Sequence, residues 1–173
     1  MCCKSILDTV GALGLPTAVI AVLAIYYSYK SNRQLIITNK LEELFQTVIA
    51  TTMYYDKLIE LFNALDTRNK GISNDLKTYN DYFAVRDRLL PKDEQMRIIA
   101  DLYRIEVLAK CYTNQDLRHD ILKFHEWLKI LAHCVITGSN GNQQLKFKNG
   151  FPNYEEFYAE VERLKNGVLK QIN

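Results

Sequence analysis

No Asp or Glu stands between Glu126 and Glu155, and that interval holds Lys129, His133, Lys146 and Lys148. The loop TGSNGNQQ lies inside it. Glycine-rich backbone offers N–H groups to an anion, and Asn and Gln amides can both donate to and accept from the edge of a base. Lysines neutralise phosphate. Phe147, Phe151 and Tyr154 follow closely enough to stack a base. Asn140, Asn142, Lys146 and Lys148 are therefore the candidate ligand-binding residues. The same stretch also reads as a solvated connecting loop. A site too weak in one copy would gain charge if several copies met around a symmetry axis.

The three histidines, His119, His125 and His133, are spaced six and eight apart. Zinc-binding helices place ligands three or four apart, and His125-Glu126 lacks a second His where that motif needs one. No metal site is expected, and each histidine reads as structural. No glycine-rich phosphate loop follows a strand, and no Ser or Cys sits in an elbow sequence. One enzyme-like pattern exists, Arg118-His119-x5-His125, whose Arg118 and His125 are two helical turns apart on one face. It resembles the Arg-(4 to 6)-His motif of helical HEPN ribonucleases. That resemblance implies a pair that stabilises a scissile phosphate and activates a ribose hydroxyl. So short a pattern is met readily by chance, so no catalytic residue is assigned and no enzyme is expected.

Composition narrows the choices. A formal net charge of +2 provides no global basic field for non-specific binding to long nucleic acid. The cysteines, Cys2, Cys3, Cys111 and Cys134, lack the spacing of a zinc site or a disulfide framework. Cys111 and Cys134 read as free, buried thiols in a reducing compartment. Cys2 and Cys3 read as two unmodified residues near a chain end, with acylation or cross-linking as the alternative.

The elements that must position these groups are helices. Thr17 to Lys70 contains neither Pro nor Gly. Leu41, Leu44, Val48, Tyr55, Leu58, Phe62 and Leu65 follow a 3-4 repeat that only Thr51 interrupts, and Leu35, Ile36, Phe45, Ile49 and Ile59 widen the stripe to suit a bundle core. Asn69-Lys70-Gly71 ends the run. A second helix is expected after a Ser73 or Asn74 cap, with Leu76, Tyr79, Phe83 and Leu90 inward, ending before Pro91. A third begins near Lys92, with Met96, Ile99, Leu102, Val107 and Leu108 inward and Tyr103 and Ile105 beside them. A fourth follows a Thr113-x-x-Asp116 capping box and turns Leu117, Ile121, Phe124, Leu128, Leu131 and Val135 inward. A hairpin-like excursion is expected near 145–151. Asn153-x-x-Glu156 caps the last helix, with Phe157, Val161, Leu164 and Val168 inward. The fold class is all-α: a bundle of about five helices over 31–173.

Residues 1–30 read as a transmembrane anchor. No charge lies between Asp8 and Lys30, and Tyr26, Tyr27 and Tyr29 suit a membrane interface. Lys30, Arg33 and Lys40 place the following domain in the cytoplasm by the positive-inside rule, as a single-pass inner-membrane protein. A cleaved signal or a buried core helix are the alternatives. Gly11, Gly14, Ala18, Ala21 and Ala24 form one small-residue face, which favours a homo-oligomer, taken as a tetramer.

With its closing helix NYEEFYAEVERLK, this layout resembles small bacterial single-span proteins with a helical cytosolic domain. It is similar in particular to the membrane effectors of type III CRISPR defence that bind cyclic tetra-adenylate. That resemblance implies an antiviral, non-enzymatic effector that binds a cyclic oligoadenylate and perturbs the membrane, with no other cofactor. The chain lacks the alternating strand–helix pattern of the related effectors with an α/β sensing domain. A membrane-localised protein-binding scaffold is the alternative function.

Overall fold

The computed structural model describes residues 3–72, 76–139 and 151–172, with side chains from Val19 onward. Among the described residues it has five helices and no strand: α1 Cys3–Asn69, α2 Tyr79–Leu89, α3 Lys92–Tyr112, α4 Gln115–Thr137 and α5 Tyr154–Ile172. The hairpin-like excursion expected near 145–151 falls almost wholly on residues 140–150, outside the described residues. The chain divides into two compact units, Met1–Asn39 and Lys40–Asn173.

In the first unit the expectation of a membrane span is corrected. No helix among the described residues is long and apolar enough to cross a membrane. The single-pass inner-membrane location with a cytoplasmic domain is overturned by this finding.

In the second unit, α1 buries the seven residues of its 3-4 repeat. Leu41, Leu44, Val48, Tyr55, Leu58, Phe62 and Leu65 of α1 are all buried. Thr51 interrupts the apolar stripe yet is buried with them, because its hydroxyl donates to the Val48 carbonyl at 2.6 Å. An otherwise unsatisfied hydroxyl there would carry a desolvation cost. At the centre, Tyr55 stacks on Phe157 of α5 with ring centroids 3.7 Å apart, and Trp127 of α4 meets both rings edge-on. The Tyr55 hydroxyl donates to the Pro152 carbonyl at 2.5 Å, and burial pushes its pKa above the usual phenol range.

Local signals set the helix ends. Gly71 at φ +66° closes α1, and its N–H donates to the Arg68 carbonyl. Thr78 caps α2 through a capping box with Asp81; the expected caps Ser73 and Asn74 lie outside the described residues. The inward residue of α2 is Tyr82, one step from the expected Tyr79–Phe83 face. For α4 the cap is Asn114, whose side chain accepts from the Leu117 N–H. Thr113, expected in that role, instead donates its hydroxyl back to the Ala109 carbonyl. Gln171 of α5 holds this α3–α4 corner by donating to the Tyr112 carbonyl and accepting from the Asn114 N–H. Asn153 and Glu156 form the expected reciprocal cap on α5. Asn153→Ala removes one partner of that cap, and a loss of about 1 kcal/mol in urea unfolding is expected.

Candidate functional site

Helix α3 is turned relative to its sequence expectation. Gln95, Ile98, Leu102, Ile105, Leu108 and Ala109 are buried. Met96, Tyr103 and Val107 are 65%, 60% and 57% exposed. The polar residue Gln95 takes a core position because it pins the α2–α3 corner. Its Nε2 donates to the Leu90 carbonyl at 2.8 Å and to Asp87 Oδ1 at 3.1 Å. That anchor fixes the rotation of α3, so its surplus apolar residues form a ridge facing solvent. Met96, Tyr103 and Val107 follow at seven and four residues, which places them on one face.

Beside this ridge runs a cleft of ≈ 280 Å³ between α3 and α4. Ile99, Leu102, Ala132 and Ile136 give it an apolar floor, and Tyr103, Lys129 and His133 stand at its edge. His125, Lys129 and His133 recur every four residues along α4, so the core pattern of α4 that turns Leu128, Leu131 and Val135 inward presents all three to the cleft. The C-terminal end of α4 is held by α2. The Tyr82 hydroxyl donates to the Val135 carbonyl at 2.8 Å, and Arg86 Nη1 donates to the Ile136 carbonyl at 2.5 Å. Those carbonyls belong to the last turn, which has no intrahelical partners of its own. Gly138 then ends the helix in the left-handed conformation at φ +69°.

His125 is buried, with Nε2 3.8 Å from Glu106 Oε2. Burial lowers its pKa, and the nearby Glu106 opposes that only in part. The Lys110 ammonium bonded to Glu106 keeps that carboxyl below its ordinary value. His125 is thus neutral at pH 7, and folding disfavours its protonation. Its contribution to stability is complete above the unfolded pKa of about 6.5 and falls as pH drops below it. In urea unfolding from pH 7.5 to 5, the wild type is expected to lose stability relative to His125→Leu. The difference should grow by no more than about 1.4 kcal/mol per pH unit, the slope of one proton.

Arg118 and His125, the pair that the ribonuclease resemblance implies, do not line one cleft. Arg118 lines a surface depression with His119 and Asp120, and its Nη2 donates to the Thr113 carbonyl at 2.8 Å. His125 lines the α3–α4 cleft. His119 and His133 are exposed, so only His125 has the buried environment expected of a structural histidine. Cys134 is buried as expected, whereas Cys111 is exposed, because it lies beyond the buried face of α3. Asn140, Asn142, Lys146 and Lys148 lie outside the described residues. Among the described residues no group of three His, Cys, Asp or Glu side chains could hold a metal ion.

Charge is unevenly shared between the two sides of α4. A wider cleft of ≈ 530 Å³ on the other side is bordered by Glu126, Glu156 and Glu160, with Lys123 as its cation. The cleft beside α3 has the opposite character. Compared with known proteins, the chain matches no family model, no curated protein and no solved structure.

Proposed function

We propose that the helical unit is a non-catalytic protein-docking module, and that its docking face is the α3 ridge together with the cleft beside α4. The observation that carries this is the exposure of Met96, Tyr103 and Val107, each more than half open to solvent on one helix face. An aligned apolar ridge rimmed by charge is the usual character of a surface that another chain covers. A photo-reactive amino acid placed at Met96 in the full chain tests it. A discrete cross-linked protein, absent when the same group is placed at exposed Glu155 and abolished by Val107→Glu, is expected. The same smear of adducts from both positions would overturn it.

A second reading is favoured by Lys129 and His133 standing over an apolar floor beside the Tyr103 ring. In it the cleft takes one nucleotide of a cyclic oligoadenylate, with copies of the chain sharing the ring. Calorimetric titration with cyclic tetra-adenylate should then release or absorb heat that Lys129→Glu removes. Absence of heat would eliminate this second reading.

A further inference from the structure

We infer that the segment docked on α3 is an amphipathic helix with an acidic flank, an inference that rests on the docking reading above. The shape sets the class of occupant. From Met96 to Val107 the ridge is ~16 Å long at ~1.5 Å per residue, about three helical turns. Its three residues face solvent, open to a helix laid along them. An apolar stripe on the incoming helix would lie along Met96, Tyr103 and Val107 and reach the floor at Ile99 and Ile136.

Charge sets the chemistry. On the α4 side the cleft presents Lys129 and His133, both exposed and four residues apart. On the other side, Arg97 and Arg104 follow Met96 and Tyr103 by one residue each, and both are exposed. Arg104 already donates to Glu43 Oε1 at 2.7 Å, so Arg97 is the stronger of the two for an incoming anion. Of the nearby carboxylates, Glu106 and Asp101 are engaged or withdrawn, whereas Asp93 is exposed. Glu106 accepts from Lys110, and Asp101 is half-buried with its pKa raised by that burial. Lys129 on one long side and Arg97 on the other thus border the ridge with positive charge. A partner helix bearing Glu or Asp along its edges would be steered onto it, and one bearing Lys would be repelled.

The test uses two synthetic helical peptides of about 18 residues, roughly one turn longer than the ridge at each end. Both carry Leu at i, i+4, i+7 and i+11; one has Glu on its flanks and the other has Lys. Fluorescence anisotropy is measured against the full chain and against Lys129→Glu, whose fold is checked by circular dichroism. The Glu peptide is expected to bind at least tenfold tighter than the Lys peptide, and to weaken as salt is raised. Lys129→Glu should lower that preference severalfold. If both peptides bind equally, the acidic partner is wrong while the docking face stands. If neither binds, the docking reading fails with it.

Discussion

Phe157→Ala is expected to destabilise the helical unit by about 3–5 kcal/mol, read as a lowered urea midpoint with an unchanged slope. Phe157 is fully buried and touches three rings of other helices: Tyr55 at 3.7 Å, Phe124 at 5.9 Å and Trp127 at 5.6 Å between centroids. Those rings come from α1 and α4, so one side chain ties α5 to both. Removing it leaves a cavity whose walls belong to separate helices, which limits how far they can close. Since domains of this size are stable by roughly 5–15 kcal/mol, the variant should sit close to unfolding at room temperature. A loss below about 1.5 kcal/mol would mean that α5 is not packed on this cluster.

The second large effect is expected at Tyr82. Tyr82→Ala should cost about 3–5 kcal/mol, because the ring is fully buried and its hydroxyl is the partner of the Val135 carbonyl. Tyr82→Phe separates the two contributions. It keeps the ring and orphans the carbonyl, for an expected loss of about 1–2 kcal/mol. Burial holds the Tyr82 hydroxyl protonated well beyond the usual phenol range, so this bond should persist across the accessible alkaline range. Tyrosine absorbance on raising pH would show at least two fewer early-titrating tyrosines, Tyr55 and Tyr82, in the wild type than in its unfolded chain.

The helices whose apolar residues lie on one narrow stripe were legible from sequence. Every inward position expected for α4 and α5 is buried, from Leu117 to Val135 and from Phe157 to Val168. In α1 the stripe from Leu41 to Leu65 is equally clear, whereas Leu35 and Ile36 are exposed. The difficulty lay in α3, which carries apolar residues on two faces. Periodicity chose Leu102 and Leu108 for the core correctly, but also Met96 and Val107, where the structure buries Ile98 and turns Ile105, placed beside the face, fully inward. The deciding interaction is the Gln95 amide at the α2–α3 corner, a polar contact that no hydrophobic pattern encodes. The surplus of apolar residues on α3 was nonetheless a readable signal, since a helix with two apolar faces needs two partners.

The candidate site was legible only in part. Lys129 and His133 were visible as members of an acid-free interval, and the structure places both at one cleft. Tyr103 and Ile99 could be joined to them only once α3 and α4 were seen side by side. The anchor expectation for 1–30 weighted uncharged length and interfacial tyrosines. No helix among the described residues is long and apolar enough to bear it out.

The claim on which the rest depends is that Met96, Tyr103 and Val107 form a surface for a partner rather than part of this chain's core. Its most direct test is the stability of Met96→Glu/Tyr103→Glu measured beside its binding of the Glu-flanked peptide. An unfolding free energy within about 0.5 kcal/mol of wild type, together with complete loss of peptide binding, is the expected result. A loss of more than about 2 kcal/mol in stability, or peptide binding that survives both charges, would contradict it.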